Sequence, residues 1–540
     1  MTGRERIRAA MKNLETDRVP WVPFVGCHAG SLIGAGASEY LRSEDLIVRG
    51  IGEAVNRYAP DGVPVMFDLQ VEAEALGCSL VWADENPPAV SSHPLSGGKV
   101  LSDLCVPGPD DGRIGMVYRA AGRLRKEHPD IALYGLVTGP FTLAMHLAGT
   151  DLFMKMFDDP ASVRELMAFA QSVTAFMSDL YFRAGCDVIA VVDPMTSQIG
   201  PEHFREFVKP HVLPVFEGIR ARGALGSFFV CGQAQQNIEA MCDCRPDNIS
   251  VDENIPLDYV RDVCRPRGVS FGGNLQLTIV LLLGTPEDAQ RDAVACLETG
   301  GKTGFILAPG CDLPYSTPPA NIEAVTQVVQ DPYRRQVVMA MSGRESRADL
   351  LDMHEYGSSD KVIVDIITLD SEACAPCQYM VESVKAIMPE FEGIVEWREH
   401  KIKRRDSLVF MTSLMVKNIP TICIDGKITF VSRIPKREEL IAAVQKRINE
   451  KLRFKIRAKR STVYLLGRTE KEIAALRESV GRAIEELGAE VNMEEVTGKD
   501  DIQALGVSVT PAVVVARYQV KAQGAMPSAA VVKEWIKDIT

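Results

Sequence analysis

The chain has 540 residues, 46% of them hydrophobic and 24% charged, a balance typical of packed globular cores and unlike that of disordered chains. That length exceeds what one ordinary core holds, so about two to four domains are expected. A net charge of −12 and a pI near 5.4 exclude nucleic acid as the main partner, because phosphate binding needs a basic face. No stretch reaches the roughly 20 apolar residues of a membrane helix. The opening Met1-Thr-Gly-Arg-Glu-Arg-Ile-Arg also lacks the apolar core of a secretory signal. The expectation is an acidic cytoplasmic enzyme with no membrane partner. In such a reducing compartment the 13 cysteines are packing residues, ligands or redox groups more readily than disulfides.

From the N-terminus, residues 1–332 alternate apolar runs with helical patterns. Ile131–Val137, Val188–Val192, Gly226–Val230, Ser270–Asn274 and Gly304–Ala308 read as strands, and stretches such as Asp159–Phe169 read as helices. Continuous apolar strands between helices predict a parallel sheet covered by helices. More than six such units in one domain favour a closed (β/α)8 TIM barrel, whose functional groups sit at the C-terminal ends of the strands. Residues 333–360 are polar and read as a linker.

Two α/β segments of similar plan follow, at 361–450 and 461–540. The first runs Val362–Thr368, a cysteine pair, a helix, Asn418–Ile424, a turn at Gly426 and Ile428–Val431. The second runs Ser461–Leu466, a helix, and Val509–Val515. The basic stretch Lys451–Arg460 between them reads as a solvated linker. Both segments resemble the thioredoxin fold. The first carries Cys374-Ala-Pro-Cys377 after a strand and at a helix start, where unsatisfied N–H groups and the helix dipole lower a thiol pKa. The resemblance makes Cys374 the attacking thiol, Cys377 the resolving thiol, and Pro420 the cis proline beside them. Half a zinc knuckle is the alternative, but no second Cys or His pair lies nearby at zinc spacing. The second segment has Gly467-Arg-Thr-Glu470 where cysteines would lie and keeps Thr510-Pro511, which suggests a redox-silent copy.

An ordered set of stretches in residues 1–330 resembles the uroporphyrinogen decarboxylase superfamily. They are Arg4–Arg8, Asp17–Pro20, Phe67–Gly77, Gly139–Thr142, Asp193–Ser197, Pro201–Pro210, Ser250–Asp252, Gly273-Asn274, Pro309–Pro314 and Thr317–Ile322. Decarboxylases of that superfamily carry an arginine-rich segment for the substrate's carboxylates. The corresponding Phe24-Val-Gly-Cys-His-Ala-Gly30 has no arginine, which demotes a porphyrinogen substrate. The zinc-dependent corrinoid/thiol methyltransferase branch has His-x-Cys-Gly on one strand end and Pro-Gly-Cys on a later one. Its i, i+2 spacing puts both ligands on one face of the strand. This chain keeps Cys231-Gly232 and Gly310-Cys311 but has Phe229 at the histidine position.

The resemblance therefore implies a methyltransferase moving a methyl group between a corrinoid and a zinc-activated thiol, with a corrinoid protein and a small thiol as partners. It also admits a homodimer. Cys231 and Cys311 are the expected zinc ligands, with His28 as third donor or a carboxylate in its place; a metal-free site stays open. Asp68 and Asp193 end apolar strands, where an acid costs desolvation unless it holds something, so both are expected at the catalytic pocket. Cys78, Cys105, Cys186, Cys264 and Cys296 read as packing residues, Cys242-Asp-Cys244 as structural, and His146 and His211 as helix residues. A tetrapyrrole decarboxylase and a binding scaffold whose only chemistry is disulfide exchange are the alternatives.

Overall fold

Continuous apolar runs become the staves of a parallel barrel in the computed structural model. It describes residues 1–341, 356, 361–372, 374–416, 418–460, 462–489, 491–505, 507, 509–515, 519–523 and 529–537. Gly62–Pro64, Ala132–Thr138, Val188–Val192, Leu225–Val230, Asn248–Val251, Ser270–Leu275 and Phe305–Pro309 pair in chain order, all parallel and buried along their length. The eighth position of this curled sheet is reduced to one parallel bridge, Trp21 to Leu307. Leu307 N–H donates to the Pro20 carbonyl at 2.9 Å, and Asp61 N–H donates to the Trp21 carbonyl at 2.8 Å, so residues 20–22 join the first strand to the last. Pro20 and Pro23 have no N–H to extend that ladder. The short Gly62–Pro64 and Asn248–Val251 strands were not among the runs expected from the sequence. Helices such as Pro160–Arg183 and Pro286–Gly300 cover the sheet.

After the barrel, helix Pro332–Met341 occupies the start of the expected linker, and most of its remainder lies outside the described residues. The next sheet has the order Val395–Lys401, Val362–Thr368, Thr421–Ile424, Lys427–Val431, its first pair parallel and the others antiparallel. It belongs to the same compact unit as the barrel, Met1–Arg437. Tyr379, fully buried, donates its hydroxyl to the Met145 carbonyl at 3.4 Å, and Gln378 Nε2 donates to the Val90 carbonyl at 2.6 Å. These contacts fix the thioredoxin-like domain on the barrel.

The second unit, Glu438–Thr540, contains a four-stranded sheet of the same polarity: Asn492–Val496, Thr462–Leu466, Ala512–Val515, Gln519–Gln523. Where the first copy has cysteines, Thr469 caps helix Glu470–Leu487 by accepting the Glu472 N–H. The basic stretch expected as a linker is helical, because Arg437–Arg460 runs unbroken across it.

Candidate functional site

A cavity of about 120 Å³ lies where the C-terminal ends of the barrel strands meet the first thioredoxin-like domain. Cys231, Asp252, Glu253 and Cys311 line it from the barrel; Cys374, Cys377 and Pro420 line it from the other side. Each barrel residue follows a strand of the parallel sheet, the position at which such barrels carry their chemistry.

Cys231 follows Leu225–Val230, and Cys311 follows Phe305–Pro309. Cys231 Sγ donates to Cys311 Sγ at 2.9 Å. The Cys311 thiol beside it, and then burial, push the Cys231 thiol well above the ordinary cysteine range. A side chain at Gly310 would overlap Glu253 Oε2, so glycine there makes room for the carboxyl next to the backbone that precedes Cys311.

Asp252 accepts N–H groups from Gly232 at 2.6 Å and Asn254 at 3.1 Å. Burial still raises its pKa to about 6. Glu253 Oε1 accepts the Leu277 N–H at 3.1 Å, whereas Oε2 is buried without a hydrogen-bond partner among the described residues. Burial and the neighbouring Asp252 charge push Glu253 up to about 8. A buried, uncompensated carboxyl oxygen on a residue that lines the same cavity as two thiols is costly unless it exchanges protons or binds a ligand. The sequence reading overlooked Glu253, although an acid just beyond an apolar strand was the signal used for Asp68 and Asp193.

Cys374 is the N-cap of helix Ala375–Ile387, and Cys377 lies fully buried one turn on. The Cys377 thiol, by its hydrogen bond, and burial push Cys374 well above the ordinary range. The helix end therefore does not leave a lowered thiol pKa here, contrary to the sequence expectation. The Ile419–Pro420 peptide is cis.

The other expected site residues lie elsewhere. Asp68 pairs with Arg113 at 2.6 Å, both buried, and accepts the Gln70 N–H at 2.8 Å. Asp193 caps helix Pro140–Ala148, accepting N–H groups from Phe141 at 3.1 Å and Thr142 at 2.7 Å. A side chain at Gly139 would overlap Asp193, so glycine is needed for that approach. Both acids hold loops next to the cavity, with their neighbours Phe67, Leu69, Val192 and Pro194 on its wall. Burial raises Asp193 to about 6. Cys78, Cys186, Cys264 and Cys296 are buried as packing residues, and Cys242 and Cys264 place their sulfurs 3.8 Å apart. Cys105 is exposed, so it is not a packing residue.

Residues 2–332 match the uroporphyrinogen decarboxylase (URO-D) family, more than half of the chain. The chain belongs to that family. Residues 471–537, in the copy without cysteines, match a thioredoxin domain. Among this uroporphyrinogen decarboxylase family member's relatives is methylcobamide:CoM methyltransferase MtbA of Methanosarcina acetivorans, 25% identical over 61% of the chain and 98% of the relative. Methylcobamide:CoM methyltransferase MtaA of Methanosarcina barkeri is 27% identical, covering 62% and 98%. Uroporphyrinogen decarboxylase of Anaeromyxobacter dehalogenans is 26% identical, covering 54% and 86%. The solved structure of a methyltransferase from Methanosarcina mazei superposes with a TM-score of 0.58 at 25% identity, covering 62% of the chain and 99% of that structure.

The donor atoms of this family member do not fit the zinc site that the methyltransferase resemblance implies. Phe229, at the expected histidine position, packs on Phe24 with ring centres 5.1 Å apart and edge-on to Phe67 at 5.8 Å. His28 is in helix Cys27–Leu32 and is not among the residues that line the cavity with the cysteine pair. Its Nε2 is bonded to the Tyr58 hydroxyl at 2.7 Å and its Nδ1 to the Tyr315 carbonyl at 3.2 Å. Burial lowers its pKa to about 4. Among the described residues no three His, Cys, Asp or Glu side chains converge as a metal site. Two sulfurs fall short of the three or four protein ligands of a zinc centre.

Proposed function

We propose that the barrel transfers a methyl group between a methylcobamide, presented by a corrinoid protein, and a small thiol. The observation that carries this reading is the cavity wall: four cysteines and two carboxyl groups, with no lysine or arginine among its described lining residues. A substrate with eight carboxylates meets like charge there and finds no guanidinium fork to hold it. A neutral thiol meets a suitable wall. For the same reason, the favoured thiol has an uncharged tail and not an anionic one.

A methylcobamide supplies the methyl group, which leaves cobalt without the bonding electrons and forms a bond to sulfur. The chain's part is to make that sulfur a thiolate in a confined space. Glu253 is the group suited to take the proton, since it lines the cavity, its Oε2 has no hydrogen-bond partner among the described residues, and its raised pKa lies near that of a thiol. Phe67, Leu277 and Pro194 supply apolar wall that limits water. The methyltransferase relatives support the reaction class.

The test is anaerobic incubation of the full chain with methylcobalamin and either 2-mercaptoethanol or coenzyme M. Expected are loss of the methylcobalamin absorption and a methylated thiol by mass, faster with the uncharged thiol. No methylated thiol, with carbon dioxide released from a porphyrinogen, would replace this reading by a decarboxylase. Disulfide reduction as the only turnover would leave the scaffold reading.

A further inference from the structure

Four cysteines from two folds line one cavity, and methyl transfer as proposed uses none of them covalently. Cys231 and Cys311, 80 residues apart in sequence, have their sulfurs 2.9 Å apart, so little motion separates them from a bond. Both are partly exposed to the cavity. Cys374 is partly exposed to it as well, and Cys377 is buried behind, the order a nucleophilic and a resolving thiol require. The dithiol is held there by the Gln198, Gln378 and Tyr379 contacts with the barrel.

We propose that Cys374 and Cys377 keep the Cys231–Cys311 pair reduced by thiol–disulfide exchange inside the cavity that all four line. A peroxide or a small-molecule disulfide first removes two electrons and two protons from Cys231 and Cys311, joining their sulfurs. Cys374 attacks one of these sulfurs; the S–S bond breaks, a mixed disulfide forms, and the released sulfur takes the proton. Cys377 then attacks Cys374 Sγ, and the second barrel thiol leaves with its proton. The net result is two thiols in the barrel and a Cys374–Cys377 disulfide, which an external dithiol reductant returns to the dithiol state. The relay regulates the site assigned to methyl transfer and rests on that reading for its purpose alone.

The test uses the full chain carrying Cys377→Ser, which removes the resolving thiol, treated with glutathione disulfide and mapped as non-reduced peptides by mass. The expected product is a peptide pair linked through Cys374 to Cys231 or Cys311, absent when Cys374→Ser is added. Cys374 found only free or bound to glutathione, beside an intact Cys231–Cys311 disulfide, would overturn the relay. In a second measurement, Cys374→Ser alone is oxidised and then reduced with dithiothreitol; the Cys231–Cys311 disulfide is expected to open at least tenfold more slowly than in the unaltered chain. Equal rates would overturn the proposal. Neither readout needs methyl transfer, so failure of the relay and failure of the methyltransferase reading are distinct results.

Discussion

Gln198 of the barrel reaches the backbone of the thioredoxin-like domain at Ser432: its Nε2 donates to the Ser432 carbonyl at 3.1 Å. Its Oε1 accepts the Ile434 N–H at 3.0 Å. One side chain thus satisfies two backbone groups beside the cavity and fixes the dithiol above the barrel mouth.

Gln198→Ala removes both bonds, each worth about 1 kcal/mol net. Amide hydrogen exchange over residues 419–434 is expected to quicken by roughly tenfold, the equivalent of about 1.4 kcal/mol. Exchange in the barrel strands is expected to stay unchanged.

The pH dependence is set by Glu253, which burial first and the Asp252 charge second raise to about 8. Its carboxylate form grows as pH rises, so the methyl-transfer rate is expected to climb through about pH 8 and to lose that limb in Glu253→Gln. Stability runs the other way. A carboxyl raised above its unfolded value of about 4.3 adds stability that is complete below that value and is lost as pH rises through its folded pKa. The melting temperature of the unaltered chain, relative to Glu253→Gln, is therefore expected to fall between about pH 4 and pH 8.

Asp68 and Arg113 form a buried pair, with Glu74 also 2.6 Å from the Arg113 Nε. Asp68→Asn leaves the guanidinium with one carboxylate, and a loss of about 3 kcal/mol is expected in denaturant unfolding. Arg113→Met in the same chain is expected to recover part of it, because the buried charge is gone.

Alkylation reports the state of Cys374. Its thiol is held up first by the Cys377 hydrogen bond, so Cys377→Ala is expected to speed iodoacetamide labelling of Cys374 at pH 7. An unchanged rate would assign the high pKa to burial alone.

Elemental analysis of the reduced full chain is expected to give well under one zinc per chain. A full equivalent, lost in both Cys231→Ser and Glu253→Gln, would instead make Cys231, Cys311 and Glu253 a ligand set.

Much of the fold is legible in the sequence because buried parallel strands are apolar on both faces. Val188–Val192 and Val362–Thr368 stand out for that reason. Val395–Lys401 and Asn492–Val496 do not: each is a sheet-edge strand rich in charge, and its pairing comes from a distant partner. Gly62–Pro64 is three residues long, and residues 20–22 contribute a single bridge, so neither has a periodic pattern to read.

By itself the sequence determined the barrel, the two α/β repeats, the Cys374–Cys377 dithiol and the pairing of Cys231-Gly232 with Gly310-Cys311, all features of local pattern. Only the tertiary structure decided which charged and sulfur groups share one cavity. It bound Asp68 to Arg113, gave Asp193 to a helix end and closed both nitrogens of His28. It left Glu253 Oε2 without a partner among the described residues and lined one cavity with Glu253, the barrel thiols and the dithiol. The physical reason is that a residue's identity gives its hydrogen-bonding capacity, whereas its partners are chosen by elements folded together from distant parts of the chain.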